Sequence, residues 1–124
     1  MIYGIGTDLT EVGRIQKSIL KGDGFKKMVF SEKEISYCEA QGNPYESFAS
    51  RFAAKEAFLK ALGTGWAGKI KFNEIEVQKD ALGKPLIVLH GEAELAFREK
   101  NLSVIHLSMT HIKDISMATV VIEA

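Results

Sequence analysis

The chain has 124 residues and a mass of 13.7 kDa, the length of one domain that buries roughly two thirds of its unfolded surface without disulfides or a structural metal. Hydrophobic residues at 46% and charged residues at 26% exclude a disordered or collagen-like chain. Sixteen Lys and Arg balance sixteen Asp and Glu, so the formal charge of +0 excludes a chain-wide basic field for nucleic acid and leaves only local patches for a polyanionic partner. The single cysteine, Cys38, can make no intramolecular disulfide and supplies no zinc cluster, which fits a reducing compartment and an inert, half-buried thiol. The opening Met1 to Ile5 lacks the pattern of a secretory signal, and no apolar run approaches the ~18–20 residues of a membrane span. A cytoplasmic protein with no nucleic-acid or membrane partner is expected. No repeat, low-complexity tract or linker divides residues 1–124, which read as a single domain.

In chain order, Ile2 to Leu9 reads as a strand, weakened by Gly4 and Gly6. A helix follows from Glu11 to about Leu20, with Val12, Ile15 and Ile19 at helical spacing and Thr10 as N-cap, and Gly22-Asp23-Gly24 breaks the chain. Ser31-Glu32-Lys33-Glu34 has the form of a capping box and starts a short helix through Cys38 or Glu39. Asn43-Pro44 opens the longest helix and Gly63 closes it, with Phe48, Phe52, Leu59 and Leu62 as its core seam. Phe72 to Gln78 and Leu86 to His90 form a predicted hairpin around Ala81 to Pro85. Glu92 to Lys100 is an amphipathic helix, and Ser103–Met109 pairs with Ser116–Ile122 through a turn at His111 to Asp114. The order β-α-α-α-β-β-α-β-β predicts an α+β fold, a mostly antiparallel sheet packed with a long helix.

Strand periodicity puts Gly4, Gly6 and Asp8 on one face, a carboxylate at the end of a strip without side chains. Either a ligand approaches the backbone there, or the glycines admit a helix and Asp8 caps the next one. On the long helix Ala49, Ala53, Glu56 and Lys60 share a stripe. Glu56 and Lys60 read either as a solvated i, i+4 pair or, with Asp8, as two hard oxygen ligands and one cation, a set that suits Mg²⁺ shared with substrate phosphates. Gly63 to Lys69 has P-loop spacing, but Ile70 replaces the required hydroxyl and the segment leaves a helix instead of entering one, so it reads as a glycine-rich turn. His90 and His106 fall inside strands, whereas His111 ends one and can reach a pocket. From Arg14 to Lys27, five basic residues (Arg14, Lys17, Lys21, Lys26 and Lys27) face Asp23 alone, a net +4 beside the apolar Phe25 and Met28, the composition of a surface for an acidic helical partner.

In this order the pieces resemble the holo-acyl carrier protein synthase family of phosphopantetheinyl transferases. The matching words are Gly4-Ile5-Gly6-Thr7-Asp8-Leu9 with Arg14-Ile15, Phe30-Ser31-Glu32-Lys33-Glu34, the helical block from Arg51 to Gly65, Gly83-Lys84-Pro85, and Leu107-Ser108-Met109-Thr110-His111. The helical block, with its K-E-A-x-x-K core, is the specific one. The resemblance implies transfer of 4′-phosphopantetheine from coenzyme A to a serine of apo-acyl carrier protein, releasing adenosine 3′,5′-bisphosphate. It places Mg²⁺ on Asp8 and Glu56, Lys60 at the phosphates, and Arg51, Thr110 and His111 near the coenzyme. Gly63, Gly83 and Pro85 would line the coenzyme pocket, and Arg14, Lys17, Lys21, Phe25 and Lys26 would dock the acidic carrier. The family's small members form homotrimers with sites between subunits.

Attack of an alcohol on a diphosphate develops charge on phosphoryl oxygens, which a divalent cation and a lysine stabilise. Glu56, Asp8 through a water, or His111 could take the serine proton. The rival readings are a non-catalytic module that binds a nucleotide or acyl-coenzyme, and a Mg²⁺-dependent pyrophosphate hydrolase that needs no acceptor protein.

Overall fold

The computed structural model describes residues 1–64 and 68–124. Strand β1 (Ile2–Glu11) is followed by helices α1 (Val12–Leu20), α2 (Asp23–Val29), α3 (Glu32–Glu39) and α4 (Pro44–Leu62). A 3-10 turn (Phe72–Glu74) then leads into β2 (Ile75–Lys79) and β3 (Pro85–Leu89), and α5 (Gly91–Glu99) connects these to β4 (Val104–Ile112) and β5 (Ile115–Glu123). The main sheet has the order β1-β5-β4, antiparallel throughout, and β2-β3 form a separate antiparallel ribbon. The α+β architecture with a long helix against an antiparallel sheet is the one expected.

Helix α4 is where the layers meet. Asn43 accepts at its side chain from the Glu46 amide, Pro44 supplies the first turn, and Gly63 ends the helix at φ 87°, in the left-handed region. Phe48, Phe52, Leu59 and Leu62 are buried as predicted, and Phe52 stacks edge-on against Phe72 at 5.6 Å. The helix is buried on its other side too, where Ala49, Ala53, Ala57 and Ala61 are closed off from solvent. There β1 lies against it so closely that a Cβ on Gly4 would overlap the Ala61 carbonyl and one on Gly6 the Ala57 carbonyl. The glycine strip is therefore occupied by a helix and not open to a ligand.

Several local expectations are corrected. Strand β1 runs on to Glu11, so the helix begins at Val12 without a side-chain cap, and Thr10 donates to Asp8 Oδ2 at 2.9 Å instead of capping. Asp8 caps nothing. The glycine break at 22–24 leads straight into α2, whose seven residues are held by packing: Val29 is buried, and the Phe25 ring lies 6.3 Å from Phe30 and 6.1 Å from Phe52. Phe72 to Glu74 is a 3-10 turn instead of a strand start, since the Glu74 carboxylate accepts from the Lys71 amide at 2.9 Å. His90 precedes α5 outside β3, and β4 continues through Ile112, leaving Lys113-Asp114 as the turn. Within the glycine-rich segment, Gly65, Trp66 and Ala67 lie outside the described residues.

Two consequences are measurable. Gly6→Ala forces α4 off the sheet and is expected to cost about 2 kcal/mol or more, a fall in Tm of roughly 8 °C. Gly13→Ala, with nothing within 4 Å of its Cβ, is expected to be neutral or stabilising; equal Tm values for the two variants would contradict the packing account. Cys38 is fully buried and burial pushes its thiol up to about 12. A disulfide reagent at pH 8 should therefore label no thiol in the native protein and one after unfolding in guanidinium.

Candidate active site

The close approach of β1 and α4 brings together three residues singled out in the sequence. Lys60 Nζ lies 3.2 Å from Asp8 Oδ1 and donates to the Thr7 carbonyl at 2.9 Å. Glu56 is one turn back along α4. Its carboxyl is raised above the usual range, first by burial and then by the negative charge of Asp8, while Lys60 and Arg14 act in the opposite sense. Two like charges near enough to repel, and a cation already drawn to the carboxylate and carbonyl oxygens, define a site for positive charge. Its donors are hard oxygens, which suits Mg²⁺ rather than zinc. Among the described residues no three His, Cys, Asp or Glu groups converge, so an ion held here would draw its other ligands from water or substrate.

A second group of the predicted residues lines a cavity of about 300 Å³. Arg51 from α4, Gly83 and Pro85 from the β2–β3 turn and His111 near the end of β4 share its wall with Glu46, Ser50, Lys79 and Met109. Gly83 adopts φ 84°, the left-handed conformation that turns the chain back after Asp80, which accepts from the Leu82 and Lys84 amides. Arg51 is buried, and its guanidinium lies over the Tyr37 ring at 4.3 Å.

The structure does not join all the predicted residues. Thr110 is on the solvent-facing side of the sheet, opposite His111, as strand alternation demands. Gly63 is the exposed end of α4 and not part of this cavity wall. In the basic segment Arg14, Lys17 and Lys21 are exposed, but the Phe25 ring is turned largely into the core. Lys26 is bound to Glu39 at 2.7 Å, which raises its ammonium above the usual value. Lys79 escaped the sequence reading, although the alternation Ile75, Val77, Lys79 places it on the face that packs inward.

The family model of the 4′-phosphopantetheinyl transferase superfamily matches residues 4–119. A holo-[acyl-carrier-protein] synthase of Solibacter usitatus is 44% identical over 124 residues, covering 99% of each chain. Among solved structures, the holo-[acyl-carrier-protein] synthase of Neisseria meningitidis superimposes with a TM-score of 0.93 at 39% identity, covering 100% of both chains. That of Bacillus anthracis, in complex with CoA (3′,5′-ADP), gives 0.82 at 36% identity, covering 100% of this chain and 98% of that one. With nearly its whole length matched in both sequence and fold, the chain belongs to the 4′-phosphopantetheinyl transferase superfamily.

Proposed function

We propose that this chain is a holo-acyl carrier protein synthase, moving 4′-phosphopantetheine from coenzyme A to a serine of apo-acyl carrier protein and releasing adenosine 3′,5′-bisphosphate. The observation that carries this reading is the convergence of Asp8, Glu56 and Lys60 where β1 meets α4, in a chain that matches its relatives end to end. Asp8 and Glu56 are the residues that would hold Mg²⁺, which supplies charge neutralisation at the diphosphate oxygens. Lys60 extends a point cation to the same oxygens, stabilising charge that develops as the serine oxygen bonds to phosphorus and the diphosphate P–O bond breaks. The groups placed to accept the serine proton are Glu56, Asp8 through a water, and His111. Arg51, Gly83, Pro85 and His111 bind the coenzyme along the cavity wall.

The outer face of the sheet supports assembly. Ile5, Leu9 and Ile112 are 67%, 68% and 69% exposed, beside Tyr3 and Val104 on the same face. A row of large apolar side chains this exposed on a regular sheet is a surface for further copies of the chain. We infer a homotrimer in the cytoplasm, with one coenzyme spanning the acid cluster of one subunit and the cavity of another. The basic patch of Arg14, Lys17 and Lys21 adjoins the cluster, since the Arg14 charge is felt at Glu56, so a docked acidic carrier has its serine near the reacting phosphate.

With coenzyme A, Mg²⁺ and apo-carrier protein, intact-mass spectrometry should detect a phosphopantetheine adduct on the carrier. No adduct on any carrier protein of the same cell overturns the reading, and release of product from coenzyme A without acceptor marks a hydrolase instead. Glu56→Ala is expected to lower turnover at least about a hundredfold with an unchanged circular dichroism spectrum; full activity would remove Glu56 from the mechanism. Arg14→Glu should raise KM for the carrier several-fold at low salt and much less at high salt, whereas a salt-independent rise would argue against electrostatic docking.

A further inference from the structure

Two interactions hold the Asp8 carboxylate, one on each oxygen. Lys60 Nζ lies 3.2 Å from Oδ1, and the Thr10 hydroxyl donates to Oδ2 at 2.9 Å. The two partners differ in permanence. Lys60 is a long, half-exposed side chain, and in the transfer reading, on which this inference rests, it turns to the diphosphate oxygens when the coenzyme binds. Thr10 is 5% exposed and stands two residues beyond Asp8 on the same face of β1, so its hydroxyl is tied to the strand that carries the carboxylate and not to α4. A β-branched side chain is also stiff about χ1, which aims the hydroxyl in one direction.

Among the described residues no other feature calls for a hydroxyl at position 10. Helix α1 starts two residues later without a side-chain cap, and its first amide, that of Val12, donates to the Asp114 carbonyl at 2.9 Å. Across the sheet Thr10 pairs in register with Ser116, but the Ser116 hydroxyl accepts from Ser50 at 3.1 Å and turns to the Glu46 carbonyl at 3.5 Å. Valine would suit a buried strand position of this shape equally well, so the hydroxyl is explained by the carboxylate beside it. Without that donor the carboxylate would be free to swing, since the Glu56 charge repels it and the Lys60 ammonium draws it toward α4. A ligating carboxylate is oriented by hydrogen bonds from outside the coordination sphere, and such a partner is worth about 10–100-fold in metal affinity. We propose that Thr10 is a positioning residue for the cation site, its hydroxyl keeping the Asp8 carboxylate in the orientation that takes up Mg²⁺ when Lys60 leaves it for the diphosphate.

The experiment is calorimetric titration of Mg²⁺ into the full-length protein saturated with coenzyme A, beside the Mg²⁺ dependence of turnover. Thr10→Val keeps the shape and removes the donor, and is expected to weaken Mg²⁺ binding about tenfold or more and to raise KM for Mg²⁺ to match. At saturating Mg²⁺ its kcat should return to within about threefold of wild type, because the hydroxyl orients a ligand and touches no reacting atom. Thr10→Ala, smaller and equally without a donor, should match Thr10→Val, whereas Thr10→Ser, which restores the hydroxyl, should bind Mg²⁺ within about threefold of wild type. Coenzyme A affinity measured in EDTA should be nearly unchanged in all three. Wild-type Mg²⁺ affinity in the valine and alanine variants overturns the proposal, as does a serine variant as weak as they are. So does a loss of metal-free coenzyme A affinity as large as the loss for Mg²⁺, which marks a general disturbance, and so does a wild type that takes up no Mg²⁺. Failure of the transfer reading is seen separately, as Mg²⁺ binding that depends on the hydroxyl while no adduct forms on the carrier.

Discussion

The close contact between β1 and α4 fixes everything downstream. At Gly4 and Gly6 the strand backbone rests on the helix carbonyls of Ala61 and Ala57, a separation no larger residue permits. Asp8 is the next position on that face, and the first at which a side chain fits. It therefore emerges where the helix presents Glu56 and Lys60, and Lys60 reaches both the Asp8 carboxylate and the Thr7 carbonyl. The acidic pair is thus a product of backbone packing, and the tightness of that packing limits how far the two carboxylates can move apart to relieve their repulsion.

A second constraint sets how α4 is turned about its axis. Lys55, adjacent to Glu56, is fully buried and donates to Glu34 Oε1 at 2.7 Å, the Phe72 carbonyl at 3.0 Å and the Ile75 carbonyl at 2.5 Å. Glu34 in turn accepts from the Ser31 amide at 3.0 Å and the Val77 amide at 2.9 Å. Burial lowers the Lys55 ammonium below its usual range and the Glu34 carboxylate opposes that shift. A buried pair of this kind adds little net stability over apolar packing, but breaking one partner is costly, so it favours a single register of α3, α4 and β2. With Lys55 locked inward, Glu56, about 100° further round the helix, is carried to the side where the Asp8 charge acts on it. The same turn of helix directs Arg51 to the cavity, one turn before Lys55.

What could be read in advance divides along physical lines. Signals carried by local chemistry were legible: the Ser31 capping box, the Asn43-Pro44 start, the Gly63 stop and the spacing of Gly4, Gly6 and Asp8. Features decided by distant packing were not. Helix α2 has too few residues to be stable alone and exists because Phe25 and Val29 meet the core. The Phe72–Glu74 turn looks like a strand until its phenylalanine is needed against Phe52. Tyr37 and Lys79 lie on a short helix and a strand end with no shared motif, and only the fold puts them on either side of one ring contact. Glu56 and Lys60 were visible, but their distinction from an ordinary solvated pair depended on Asp8, 48 positions before Glu56, arriving beside them.

The balanced charge of the chain takes on a different meaning in this frame. Positive charge is carried by Arg14 and Lys17 on α1 and by Lys21 just after it, while Lys26 is spent within the fold on Glu39. Of the sixteen acidic residues, Asp8 and Glu56 lie near enough to repel each other, and the Arg14 field reaches the latter. Opposite potentials side by side act over different ranges: the field of exposed cations reaches as far as screening allows, whereas the half-buried acids act at contact range, where a cation neutralises them. A phosphate diester or diphosphate approaching alone would be repelled by the two carboxylates, and one approaching with a divalent cation would not. In the proposed transfer reading, the cations would meet an acidic carrier and the acids would require a cation beside the diphosphate, so a net charge of zero does not mean an absence of local fields.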